Sequence, residues 1–316
     1  MAAPRLVVVA DPIDAVSLER LRAGPCRVVD ASGDPAVLPG ALNDAWGLVV
    51  RSRTRVTPAL LQSAPHLELV ARAGVGVDNI DLAATGARGI RVVNAPTAAT
   101  ASVAELTVAF CLLLVRGLYP SIASAKDGKW ERGTRGREIA GKTVGFVGYG
   151  RIAREVARRL APFGARTIAF DPFVPKSGDA TEMRPLDALL AESDVVSVHA
   201  ALTPENHHLI DARALAKMRP GAYLINVARG ALVDESAVVA ALDSGRLAGA
   251  ALDVFETEPP TRRELLAHPR VVPTPHVGAS TEEAQRRAGS ETVDEVLRAL
   301  RGEPLNALVA APAGAR

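Results

Sequence analysis

The sequence predicts an α/β protein built from two doubly wound parallel sheets, and three observations predict it. Short β-rich apolar runs alternate with longer helical stretches along almost the whole chain. A second, cleaner series of the same alternation starts at Thr143. The length, 316 residues, suits two ordinary domains, and with 48% of residues apolar each can bury its own core.

In the first series, strands are expected at 6–9, 27–30, 47–50, 69–71 and 91–94, with helices at 15–23, 58–63 and 81–88 between them. A long helix follows at 102–117, where Ser102 and Glu105 have the spacing of a capping box. Val103, Leu106, Val108, Phe110, Leu112, Leu113 and Leu114 make it apolar on more than one side, as in a helix buried in a core or a subunit contact. In the second series, strands are expected at 143–147, 167–170, 195–199, 222–226, 248–253 and 271–273. Helices fill the gaps at 152–162, 185–192, 211–218 and 234–244, and a last one runs over 281–301. Six strands with helices between them fit a dinucleotide-binding sheet. If the last helix returns to the N-terminal part, the second domain is inserted into the first.

Composition removes several function classes. The 37 basic and 35 acidic residues leave a net charge of +2, too little to steer nucleic acid or a membrane surface. Cys26 and Cys111 stand in unrelated contexts, without metal spacing or a disulfide framework, so a reducing, cytoplasmic setting is expected. The first apolar run is short and reads as a strand, not a signal peptide. No apolar stretch approaches the roughly 20 residues of a membrane helix. His199, His207 and His208 lie close in sequence, but no cysteine or spaced acid completes a ligand set, so no metal is expected.

The strongest local signal runs from Lys142 to Ala153. An apolar strand ends in Gly148, and a helix begins after Gly150. Gly148 permits the tight turn, Gly150 lets a pyrophosphate approach the helix N-terminus, and Ala153 is small where helix and strand pack closely. Asp171 ends the next strand at about the 20-residue offset of a ribose-binding acid. Its charge repels a 2′-phosphate, which favours NAD over NADP.

Three further segments end predicted strands: Asn226 to Gly230, Asp253 to Pro259, and Thr274 to Ala279. That edge of such a sheet is where ligands bind. An arginine fork holds a carboxylate through two parallel hydrogen bonds. A histidine exchanges a proton near neutrality, and a neighbouring carboxylate orients it and favours its charged form. Arg229, His276 and Glu258 fit these roles for hydride transfer on a 2-oxo acid. Each alone has a plainer reading, as a turn arginine, a solvated loop acid or a buried loop histidine; their placement at successive strand ends favours the chemical one.

These residues give the chain its resemblance to the D-isomer-specific 2-hydroxyacid dehydrogenases, which covers nearly the full length. Its segments 49–54, 71–79, 126–132, 250–255 and 276–285 look most like the branch that acts on 3-phosphoglycerate. The resemblance implies a Rossmann-type NAD-binding domain, about 96–282, inserted into a flavodoxin-like substrate domain of 1–95 and 283–316. It implies that Arg229 binds the substrate carboxylate, and that His276, paired with Glu258, is the general acid/base. Gly148, Gly150, Arg151, Ile152, Asp171, Ala200, Val227, Ala228, Arg229, Asp253, His276, Gly278 and Ala279 are implied around the cofactor, NAD. Arg51, Arg72, Gly74 and Arg132, with Arg229 and His276, are implied around the substrate, the first two arginines and Arg132 near its phosphate. A homodimer through the NAD-binding domain is implied as well.

Two positions depart from the phosphoglycerate pattern: Ala99 replaces a usual asparagine and Val75 a usual threonine. A glyoxylate or hydroxypyruvate reductase is therefore the alternative within the family, and an NADH-sensing protein like the corepressors of this fold the alternative outside it. The sequence stops at Arg316, where many phosphoglycerate enzymes continue into regulatory domains, so feedback through such a domain is not expected.

Overall fold

The computed structural model describes residues 4–309 except Glu131 and Thr134. Residues 310–316 of the expected substrate domain and Glu131 of the segment 126–132 lie outside the described residues. The chain divides into two compact units, Met1–Ala99 with Ala279–Arg316, and Thr100–Gly278. The borders of these units fall after Ala99 and Gly278, where the sequence reading put them at about 95 and 282.

In the first unit, β1 (Leu6–Val9), β2 (Arg27–Asp30), β3 (Ala45–Val50), β4 (Leu69–Arg72) and β5 (Arg91–Val93) form one sheet. All pairs are parallel, in the order β2-β1-β3-β4-β5. This is the flavodoxin-like order. Alternate residues feed opposite cores, as the two-residue period of a strand requires. Leu6, Val8, Leu48, Val50 and Val70 join Leu61 and Ile80 on one face. Val7, Val9, Val49, Leu69 and Ala71 join Leu21, Val293, Val296 and Leu297 on the other. The last three come from the helix Glu282–Arg301. Its first turn holds Glu282 and Glu283 and its last turn Arg298 and Arg301, charges that suit the helix dipole.

In the second unit, β6 (Thr143–Val147), β7 (Arg166–Phe170), β8 (Glu182–Met183), β9 (Val195–Val198), β10 (Ala222–Asn226), β11 (Leu247–Leu252) and β12 (Val271–Pro273) form the larger sheet. The order is β12-β11-β10-β9-β6-β7-β8, and every pair is parallel. The chain starts in the middle at β6, builds outward through β7 and β8, then reverses through β9. That is the Rossmann pattern, with its switch point between β6 and β9. All five residues of β6 are buried, as a central strand covered on both faces demands.

Several elements differ from the sequence expectation. The helix at 102–117 is Thr100–Val115, so Ser102 is buried in its first turn and does not cap it. Short helices at Val37–Leu42, Leu118–Lys126 and Arg263–Ala267, and the two-residue β8, were not expected. Among the described residues, no single helix is long and apolar enough to cross a membrane.

Candidate active site

The glycine turn lies at the switch point of the second unit. Gly148 has φ +91°, and a Cβ there would fall 2.5 Å from the backbone nitrogen of Ala200. The end of β6 and the chain after β9 therefore touch through a residue without a side chain. A Cβ at Gly150, in contrast, would meet nothing within 4 Å. Gly150 is the N-cap of the helix Arg151–Leu160, and no side chain caps that end. The first N–H groups of the helix, including those of Arg151 and Ile152, thus face an open approach suited to a pyrophosphate.

Asp171 follows β7, as the ribose reading requires. Its Oδ2 accepts the Tyr149 N–H at 2.8 Å and its Oδ1 the Phe173 N–H at 2.9 Å. Both contacts fix the carboxylate beside the turn and leave each oxygen a further lone pair for a hydroxyl. These features fit a dinucleotide.

The ends of β10, β11 and β12 carry a second cluster. Asn226, buried, donates from Nδ2 to the Arg229 carbonyl at 2.9 Å and accepts the Ala228 N–H at 3.1 Å. It thereby shapes the turn of Val227, Ala228 and Arg229. Gly230 continues that turn into the backbone of Phe255, whose N–H donates to Glu258 Oε1 at 3.2 Å. Glu258 Oε2 lies 2.9 Å from His276 Nδ1. The structure therefore brings Glu258 and His276 together directly, and joins the Arg229 turn to the Glu258 loop through backbone.

His276 has φ +53°, a left-handed conformation uncommon for a side chain of this size. A dense set of bonds holds it there. Its N–H reaches the Asp253 carbonyl at 2.9 Å and the Thr274 carbonyl at 3.0 Å. The Asp253 carboxylate, 1% exposed, accepts from Thr274 Oγ1 at 2.5 Å, Val277 N–H at 2.8 Å and Gly278 N–H at 2.8 Å. The sequence marked Asp253 only as a cofactor neighbour, and Asn226, Thr274 and Gly230 for no role of their own. An acid at a strand end followed by a loop histidine about 20 residues on was the available signal.

The His276 and Glu258 side chains are 51% and 40% exposed. An ion pair that open contributes at most about 1 kcal/mol to stability. The pair is thus better placed to meet a ligand than to hold the fold. His199, by comparison, lies against Phe146 with ring centroids 5.7 Å apart and Nε2 2.8 Å from Ser197 Oγ. Burial pushes its pKa down to about 3.

The remaining candidates stand on other segments of the chain. In the first unit, Arg51 follows β3; its N–H donates to the buried Asp11 at 2.6 Å and its Nη1 to the Pro12 carbonyl at 3.3 Å. Arg72 ends β4, and its guanidinium folds over Gly74. Ala279 also belongs to this unit, where its carbonyl accepts from Gln285. In the second unit Arg132 is exposed, its guanidinium 5.9 Å from the Trp130 ring. His208 lies 3.2 Å from Glu256, and among the described residues no three His, Cys, Asp or Glu side chains gather as a metal site.

Residues 108–278 match the NAD binding domain of the D-isomer specific 2-hydroxyacid dehydrogenases. The chain is 45% identical over 257 residues to a hydroxypyruvate reductase of Thermotoga maritima, covering 80% of this chain and 84% of that protein. It is 48% identical over 270 residues to a D-3-phosphoglycerate dehydrogenase of Mycobacterium tuberculosis, covering 84% of this chain and 51% of that one. The chain thus spans about half the length of that phosphoglycerate relative. The crystal structure of a glyoxylate reductase from Paecilomyes thermophila superimposes with a TM-score of 0.88 at 30% identity, covering 98% of this chain and 99% of that one.

Proposed function

This chain belongs to the D-isomer specific 2-hydroxyacid dehydrogenases, and from that premise we propose that it interconverts a small D-2-hydroxy acid and its 2-oxo acid through Arg229, Glu258 and His276. The observation that carries the proposal is the 2.9 Å contact between the half-exposed Glu258 and His276, on strand-end loops of an NAD-binding unit.

NAD, held by the glycine turn and Asp171, supplies the hydride acceptor, and its reduced form the donor. Arg229 grips the substrate carboxylate. His276 gives its proton to the carbonyl oxygen during reduction and takes it from the hydroxyl during oxidation. Glu258 accepts the Nδ1 hydrogen, which leaves Nε2 as the atom that exchanges the proton. Asp253 holds the loop that carries the imidazole. Val227, Ala228 and Gly278 supply backbone contacts to the cofactor.

Phosphohydroxypyruvate is the favoured substrate, on the basic residues Arg51, Arg72 and Arg132. Hydroxypyruvate or glyoxylate is the second reading. It is favoured by Val75 and Ala99, which lack hydrogen-bonding groups, and by the Thermotoga relative. The test is NADH oxidation followed by absorbance with phosphohydroxypyruvate, hydroxypyruvate, glyoxylate and 2-oxoglutarate. Preference for the phosphorylated acid supports the first reading, and preference for an unphosphorylated one the second. Turnover retained in His276→Ala would remove the mechanism. NADH binding without turnover on any acid would point to a sensor.

A cytoplasmic homodimer completes the proposal. The helix Leu118–Lys126 buries none of its residues, and Leu118 and Ile122 stand exposed. Light scattering on the purified protein tests it, and a monomer at micromolar concentration would argue against it.

A further inference from the structure

Between Gly148 and Gly150 stands Tyr149, whose side chain is fully buried. It grips both ends of the loop that follows β7. At the near end its N–H donates to Asp171. At the far end its phenolic oxygen lies 3.0 Å and 2.9 Å from the two Asp179 carboxylate oxygens and 2.6 Å from Thr181 Oγ1.

A phenol has one proton. The ionised Asp179 can only accept, so the phenol donates its hydrogen bond to that carboxylate, and Thr181 donates to the phenolic oxygen. Thr167, on β7, lies 2.9 Å from Thr181 and continues the chain of hydroxyls. Asp179 also accepts the Thr181 N–H at 2.9 Å. Arg154, in the helix after the glycine turn, lies 4.6 Å from the Tyr149 ring centre and 3.5 Å from Asp179, and donates to the Ser177 carbonyl.

The protonation states agree with this pattern. Burial, aided by Asp179, pushes the Tyr149 pKa up to about 12, so the hydroxyl stays a donor. Burial alone would raise Asp179; the Thr181 N–H, the Tyr149 hydroxyl and Arg154 outweigh it and keep the carboxylate below its usual range.

A residue that only filled this space would need no hydroxyl, because a buried phenol requires partners. Here both partners of the hydroxyl, Asp179 and Thr181, and the acceptor of the backbone N–H, Asp171, belong to the loop 171–181. We infer that Tyr149 is a positioning residue for the cofactor: its hydroxyl fixes the far end of the 171–181 loop and so holds Asp171 where it meets the adenosine ribose. The inference rests on the ribose reading of Asp171.

The experiment measures Kd for NADH and NADPH by fluorescence titration, together with cofactor KM, kcat and the thermal midpoint. It compares the parent protein with Tyr149→Phe, Asp179→Ala and Asp171→Ala. Tyr149→Phe is expected to raise the NADH Kd and KM about fivefold, the worth of one ordinary hydrogen bond. It should narrow the preference for NADH over NADPH and leave kcat at saturating cofactor unchanged. Asp179→Ala should reproduce this, and the double variant should be no worse than either single one. If Tyr149→Phe fails to fold, Asp179→Ala, at a half-exposed position, decides alone. Parent-like affinities in Tyr149→Phe beside weakened ones in Asp171→Ala would overturn the inference, as would a loss confined to kcat. Parent-like affinities in Asp171→Ala would overturn the ribose reading itself.

Discussion

Gly230 lies with its α-carbon against the backbone of Phe255, where a Cβ would fall 1.8 Å from the carbonyl carbon. The neighbouring atoms are main chain on both sides, so no rotamer change relieves the overlap. This contact sets the Arg229 turn beside the loop that supplies Glu258. Gly230→Ala is expected to force the two loops apart and to destabilise the protein by about 2–4 kcal/mol, as overpacking against backbone does. It should also reduce kcat/KM. A parent-like thermal midpoint with parent-like turnover would show that the loops can separate without consequence.

Gly150 makes the opposite case. A Cβ there meets nothing within 4 Å, and its φ of −82° is open to any residue. Gly150→Ala should therefore leave the melting temperature within about 2 °C of the parent, since surface changes without lost contacts are nearly neutral. NADH affinity should fall at least about tenfold, because the methyl group occupies the path of the pyrophosphate. Calorimetric titration separates the two effects. Unchanged affinity would mean that the phosphates do not approach this turn.

The contrast between these glycines shows what a sequence carries. The turn at Gly148 and Gly150 was legible because it depends on local order: strand, turn, helix, and an acid at a fixed offset. Most strands were legible for a similar reason, since a parallel strand covered on both faces reads as an apolar run. Gly230 was not legible, because its constraint comes from Phe255, a residue on a different strand end. The same holds for Asp253, whose partners Thr274, Val277 and Gly278 lie across the sheet edge. The helix Leu118–Lys126 escaped because it buries no face and so has no apolar period. Val37–Leu42 escaped because Pro39 and Gly40 interrupt it. Ser102 misled because a capping-box spacing also occurs inside a helix that starts two residues earlier.

The half-buried His199 gives a pH dependence with a definite sign. Its folded pKa is depressed from 6.5 to about 3 by burial. The unfolded chain therefore binds a proton in a window where the folded protein does not, and stability falls as pH drops from about 6.5 toward about 3. At pH 5 the loss relative to pH 7 is on the order of 1–2 kcal/mol. His199→Gln, which cannot titrate, should flatten this part of the profile in denaturant titrations at several pH values. An equally steep profile in the variant would assign the acid sensitivity to other groups.

Asp253 should matter to turnover through His276. The imidazole sits on a left-handed residue whose loop is tied to one carboxylate by Thr274 Oγ1, Val277 N–H and Gly278 N–H. Asn at this position keeps one acceptor oxygen and turns an amide donor toward an N–H, so one side of the clamp becomes repulsive. Asp253→Asn is expected to cost about 1–3 kcal/mol of stability, the range for unsatisfied buried polar groups. It should lower kcat about tenfold or more, since misplacing an acid/base group by even an ångström is that costly. Asp253→Glu restores the charge but not the length, and should recover little. Circular dichroism, thermal unfolding and steady-state kinetics on both variants check this. A fully active, destabilised Asp253→Asn would show that the clamp serves the fold alone and that His276 finds its place without it.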